Sequence, residues 1–190
     1  MSSDLRLART TVGEAGLDDL APEERAIAET IAPGRWPEFC AGRAAARAAL
    51  AALCGPGAYV IGRDAEGAPV VVGAAARVSI THTRDEVAAV AGRVAALGVD
   101  LCAVADAPRV RRVAPRFIAA AERALPVDDA AWAALWALKE AGAKAVGVGL
   151  LDGGLKATRL ASLAPPRFAS PALEAATDVD AGIVLAVVWR

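Results

Sequence analysis

The sequence predicts an α+β fold of two similar lobes related by a pseudo-twofold, each a small antiparallel sheet packed on one long helix. Three observations carry this. Helix and strand signals come in blocks, a helix run then β-hairpins to about residue 102, then helices and strands again, without the strict alternation of a parallel α/β chain. At 190 residues the chain suits one compact unit with a sizeable core, divided into lobes at residues 1–95 and 96–190. Hydrophobic residues make up 56% and aromatics 4%, much of the apolar share being Ala, so the core is one in which helices approach closely.

The elements follow in order. Residues 1–20 mix alternation with polar breaks and predict a short edge strand. Leu20-Ala21-Pro22-Glu23-Glu24 reads as a helix start, with Pro in the first turn and acids where the dipole favours them, and that helix runs to Pro33-Gly34. A stronger helix spans about Pro37 to Leu53 and is closed by Gly55-Pro56-Gly57. Along it Phe39, Ala46 and Leu50 face a core, while Arg43 and Arg47 share another face at i, i+4.

Strands Tyr59–Gly62 and Pro69–Val72 bracket the turn Asp64-Ala65-Glu66-Gly67. Val78 to Thr83 alternates apolar and polar as a half-buried strand, and Val87–Ala91 and Val94–Cys102 are two more about Gly92-Arg93. Arg109 to Ala124 predicts a helix whose basic start (Arg109, Arg111, Arg112, Arg116) opposes the helix dipole unless anions lie nearby. Ala130 to Val146 is the central helix, with Asp128 or Asp129 as cap and Gly147 as stop. Leu155–Leu160 and Gly182–Trp189 supply closing strands. The loosely similar layouts of the two halves suggest an internal duplication without a residue-level repeat.

The net charge of -1, from 21 basic and 22 acidic residues, argues against nucleic-acid binding by bulk electrostatics. Cys40, Cys54 and Cys102 are an odd count without plausible pairing, which fits a reducing compartment. No signal-peptide core follows Asp4, Arg6 and Arg9, and uncharged runs such as Ala181 to Trp189 fall short of the roughly 20 residues of a membrane helix. The chain reads as soluble and cytoplasmic.

The chemistry gathers on a few residues. On the central helix Trp136, Glu140 and Lys144 stack at i, i+4, i+8, with Lys139 beside them. A Glu between two Lys either stabilises a solvated face or holds a hard cation while the ammonium groups neutralise phosphate oxygens. Asp100 in Gly98-Val99-Asp100-Leu101-Cys102 lies among buried β-formers, where it either caps the next turn or ligates a metal. His82, the single histidine, is flanked by Thr81 and Thr83; it is either a satisfied structural residue or part of an anion-binding loop.

Ser79-Ile80-Thr81-His82-Thr83, Gly98-Val99-Asp100-Leu101 and Trp136-x-x-Lys139-Glu140-Ala141-x-x-Lys144-Ala145 together resemble the ordered motifs of 4′-phosphopantetheinyl transferases of the monomeric, surfactin-synthetase-activating (Sfp-like) type. Glu38 to Leu50 resembles that group's N-terminal helix, Gly67-Ala68-Pro69 its Gly-Lys-Pro turn, and Arg116-Phe117 with Glu122 its Phe-rich segment ending in Glu. The resemblance spans residues 35 to 151 in order.

It implies transfer of 4′-phosphopantetheine from coenzyme A to a serine of an apo acyl or peptidyl carrier protein, with release of 3′,5′-ADP. By the same resemblance Asp100 and Glu140 hold Mg²⁺, Lys144 contacts the pyrophosphate, and Glu140 or Glu122 accepts the serine proton. Arg35, Arg43, Thr81 and His82 hold the 3′-phosphate region of coenzyme A, which assigns the 1–95 lobe to coenzyme A and the 96–190 lobe to metal and catalysis. Two departures stand out: Cys102 where the family commonly has Glu, a poor ligand for a hard cation, and Ala68 for the lysine of the turn. They support an alternative reading, a degenerate relative that binds coenzyme A or a carrier without transfer. Arg109, Arg111, Arg112 and Arg116 offer a basic approach surface for an acidic carrier, or simply a solvated face.

Overall fold

The computed structural model describes residues 4–149 and 154–190, so the last two residues of the resembling span lie outside the described residues. The chain divides into two units, Met1–Val94 and Ala95–Arg190. Each contains a long helix, a three-stranded antiparallel sheet and a two-stranded hairpin, the α+β composition that the sequence predicts.

The first unit runs β1 (Leu5–Thr11), α1 (Pro22–Ala28), α2 (Trp36–Cys54), β2 (Val60–Arg63), β3 (Pro69–Val72), β4 (Arg77–His82) and β5 (Glu86–Gly92). Its sheet has the order β1-β5-β4, with Leu5 opposite Gly92 and His82 opposite Val87. Small residues set the packing: Ala41, Ala45, Ala46 and Ala49 of α2 are buried in one cluster with Ala89 and Ala91 of β5. The first helix stops at Ala28, short of the predicted Pro33. There the Thr30 hydroxyl donates to the Ile27 carbonyl at 2.7 Å, a local bond that competes with the helix ladder. Fully buried Glu24 ties three elements together by accepting from the Ala21 amide of the α1 cap, the Ile61 amide of β2 and Arg47 of α2.

The second unit runs β6 (Leu97–Ala103), α3 (Ala107–Val113), α4 (Asp129–Val146), α5 (Gly154–Ala157), β7 (Arg159–Leu163), β8 (Pro166–Ser170), β9 (Glu174–Asp180) and β10 (Ile183–Trp189). Its sheet has the order β6-β10-β9. Strand, long helix, hairpin, strand, strand, with the last strand central in the sheet, is the plan of both units: β1, α2, β2–β3, β4, β5 match β6, α4, β7–β8, β9, β10 in order. The likeness of the two units lies in the order of their elements and of the strands in their sheets.

Helix α4 begins as predicted, with the Asp128 carboxylate accepting from the Ala131 amide at 2.8 Å, and stops at Gly147 in the left-handed conformation. The predicted helix over Arg109–Ala124 is corrected. It is the short α3 followed by 3-10 turns at Ala114–Arg116 and Ala120–Glu122, because Pro115 has no N–H and its ring clashes with the carbonyl one turn back. Arg111 and Arg112 therefore lie in the last turn of α3, where the dipole favours them. The strand predicted over Leu155–Leu160 is also shifted: Gly154–Ala157 is a helical turn, and β7 starts at Arg159.

The β9–β10 hairpin turns on two residues, Ala181 (φ 47) and Gly182 (φ 77), both in the left-handed region. Such a loop favours Asn-Gly, and an Ala there carries the Cβ–carbonyl clash of that region. Ala181→Asn should therefore stabilise the protein by about 0.5–1 kcal/mol, read as a rise of roughly 1–4 °C in the thermal midpoint by circular dichroism. An unchanged or lower midpoint would contradict this turn geometry.

Candidate functional site

In the second unit the site is built where β6 lies against α4. Gly98 permits this contact: a Cβ there would come within 1.9 Å of the Ala141 carbonyl oxygen, so any larger residue would push strand and helix apart. Two residues further on, Asp100 is 4% exposed, and the Lys144 ammonium donates to its Oδ1 at 2.7 Å and to the Val99 carbonyl at 3.0 Å. Glu140 sits one turn before Lys144. Burial first, and then the Asp100 carboxylate, push its carboxyl up to about 7, while Lys144 and Arg109 pull the other way. Two carboxylates 40 positions apart in sequence thus raise each other's electrostatic cost beside one ammonium.

Excess negative charge of this kind suits a divalent cation. Among the described residues no group of three or more His, Cys, Asp or Glu could hold a metal. Asp100 and Glu140 are two carboxylates, the number Mg²⁺ needs when phosphates and water complete its shell. Cys102 does not supply a third ligand of the right kind. Burial and then Asp100 push its thiol up to about 12, so it stays protonated at neutral pH.

Lys139 and Glu122 meet in the interior of the same unit. The Lys139 ammonium is fully buried and donates to both Glu122 oxygens, at 2.9 and 3.0 Å, and to the Thr158 carbonyl. Burial lowers its pKa, against the raising effect of Glu122. Glu122, 1% exposed, also accepts from the amides of Ala119 and Leu160. The pair is a strut joining α4 to the 3-10 turn at Ala120–Glu122 and to β7. The Lys139 ammonium and both Glu122 oxygens are thus engaged within the protein. Arg109, Arg111, Arg112 and Arg116 are exposed, Arg111 being paired with Asp129.

In the first unit a cleft of about 230 Å³ is lined by Arg35, Glu38, Phe39, Arg43, Arg63 and His82, among others. Arg43 shares a face of α2 with Arg47 at i, i+4, but it is buried. Arg43 is 6% exposed, with its guanidinium 3.8 Å above the centroid of the Phe39 ring, four residues earlier on the same helix face. Its Nε has no hydrogen-bond partner among the described residues, and burial, with Arg63 next in importance, lowers its pKa to about 10. The Glu38 carboxylate lies 3.5 Å from Arg35 and 3.6 Å from His82. Ile80 and His82 line the cleft, whereas buried Thr81 lies between them and therefore projects from the other face of β4. Arg63 is the cleft residue that sequence reading missed; its one signal was its place opposite Pro69 in the hairpin, beside the Gly67-Ala68-Pro69 turn.

Comparisons with known proteins bear on both units. The profile of the 4′-phosphopantetheinyl transferase N-terminal domain matches residues 22–92, and that of the 4′-phosphopantetheinyl transferase superfamily matches residues 96–182. No curated protein matches. Among solved structures, a holo-(acyl-carrier-protein) synthase from Bacillus anthracis str. Ames, in complex with CoA (3′,5′-ADP), is 21% identical with a TM-score of 0.40. That match covers 46% of this chain and 92% of the synthase chain.

Proposed function

The chain belongs to the 4′-phosphopantetheinyl transferase superfamily, both of its units being matched in order, and from that premise we propose that it transfers 4′-phosphopantetheine from coenzyme A to a serine of an apo acyl or peptidyl carrier protein. The reading extends to the monomeric, Sfp-like type. The observation that carries it is the meeting of Asp100, Glu140 and Lys144 where β6 packs on α4.

Each residue has a task. Asp100 and Glu140 would hold Mg²⁺, which when bound supplies charge neutralisation to the pyrophosphate oxygens. Lys144, within 2.7 Å of Asp100, stands ready to turn its ammonium to the pyrophosphate and to stabilise the departing 3′,5′-ADP. The serine oxygen forms a bond to the β-phosphorus of coenzyme A, the bond from that phosphorus to the bridging oxygen breaks, and the serine proton passes to a carboxylate. Of the two candidate bases, Glu140 is favoured by position: it lies beside Asp100 and Lys144, whereas Glu122 is committed to Lys139 and two amides. Arg35, Arg43 and His82 line the cleft that receives the 3′-phosphate end of coenzyme A.

With purified protein, coenzyme A, Mg²⁺ and a panel of apo fatty-acid, polyketide and peptide-synthetase carriers, at least one carrier should gain one phosphopantetheine arm by mass. A panel in which none is modified would overturn the reading.

A further inference from the structure

We propose that Lys144 is the resident counter-cation of the Asp100–Glu140 site: in the unliganded protein its ammonium takes the place of a divalent ion and keeps the two carboxylates closed to metal until an anionic ligand draws it away. This rests on the reading of those carboxylates as metal ligands and adds the device that regulates them.

The ammonium is seated in the site rather than turned past it. It donates to Asp100 Oδ1 at 2.7 Å and to the Val99 carbonyl at 3.0 Å. A carboxylate and a carbonyl oxygen are the donor types that a hard cation takes from a protein. The same ammonium also eases the crowding of the two acids. Burial and the Asp100 carboxylate disfavour the charged form of Glu140, and among the groups that favour it Lys144 outweighs Arg109. Lys144 thus does for both carboxylates, in part, what a divalent ion would do in full.

Two consequences follow from like charge. A divalent ion entering while the ammonium is in place meets a cation on the very carboxylate it must bind, where burial weakens screening by water. The Lys144 side chain is 27% exposed against 5% for Asp100, so on its flexible four-carbon stem it is the member of the pair that can leave. A phosphate-bearing ligand gives it somewhere to go, because phosphate oxygens compete with Asp100 for the same N–H donors. Metal therefore loads together with the phosphate ligand and poorly before it.

The test is titration of the full chain with Mn²⁺ alone, without coenzyme A, at pH 8, following free Mn²⁺ by electron paramagnetic resonance. Lys144→Met should bind Mn²⁺ about tenfold or more tightly than wild type, and Lys144→Arg, which keeps the charge, within about threefold of it. Lys144→Gln, uncharged but still an N–H donor, should also gain affinity and serves where Lys144→Met does not fold. Damage to the fold would lower metal affinity, so a gain separates a counter-cation from a merely structural lysine. Adding Asp100→Asn to Lys144→Met should erase the gain; a gain that survives it places the metal elsewhere and overturns the proposal. If the uncharged variants bind Mn²⁺ no more tightly than wild type, the counter-cation is wrong and the transferase reading stands. If they gain affinity while no apo carrier is modified by wild type, the counter-cation stands and the transferase reading falls. Absence of Mn²⁺ binding in wild type and uncharged variants alike, up to millimolar metal, sinks the counter-cation and the metal role of both carboxylates.

Discussion

Glu140→Gln is expected to cut transfer by about 10²–10⁴-fold while leaving the protein folded and, in metal-free buffer above pH 7, more stable than wild type. The two effects share one cause. In the free protein Glu140 is pushed up to about 7 by burial and by the Asp100 carboxylate, so its charged form is disfavoured where it stands. For an acid whose folded pKa exceeds its unfolded value, folded protein binds more protons, and stability falls as pH rises through the window between those values, here from about 4.5 to about 7. A neutral amide of the same shape removes that repulsion. The midpoint gain of Glu140→Gln should be large at pH 8 and small at pH 5. The same proton opposes cation binding: below pH 7 a divalent ion must displace it, so apparent Mg²⁺ affinity of wild type should fall by up to about tenfold per pH unit, and that slope should flatten in the variant. Asp100→Ala should lose transfer as severely, since it removes the second carboxylate and the partner of Lys144. Wild-type transfer rates in either variant would end the assignment of both carboxylates to the reacting centre.

Much of this was legible before the coordinates. The ends of α4 are written in Asp128 and Gly147, and the alternation of β4 places His82 on the cleft side. What the sequence hid has physical reasons. Strands β8 and β9, Pro166–Ser170 and Glu174–Asp180, lack clean apolar alternation because they are largely half-buried or exposed, and so carry a weak period-2 signal. The burial of Arg43 and Lys139 was not legible for one reason: a long cation on a helix is usually solvated, and only tertiary contacts reveal the Phe39 ring under one and the Glu122 carboxylate on the other. Gly98 was legible as a strand residue, but the close approach of the Ala141 carbonyl that demands glycine was not. Arg63 carries no motif at all. Its place in the cleft emerges only when the hairpin folds beside α2.

Lys139→Met should be the most destabilising of the substitutions considered, at about 3–5 kcal/mol, because it strands the Glu122 carboxylate without a counter-charge in a fully buried site. Against a total stability of roughly 5–15 kcal/mol that is a large share, read as a thermal midpoint lower by about 6–20 °C for a chain of this size. Glu122 would keep the amides of Ala119 and Leu160 as donors, so the loss is of charge compensation rather than of every hydrogen bond. Adding Glu122→Gln to Lys139→Met removes the stranded charge but keeps an acceptor oxygen for only one of those amides, so it should recover no more than about half of the deficit. Transfer per folded molecule is the decisive second readout. A strut predicts that folded Lys139→Met, assayed below its midpoint, keeps transfer within severalfold of wild type, because Asp100, Glu140 and Lys144 stay in place. A variant of unchanged stability that transfers nothing would put the Lys139 ammonium on the substrate after all.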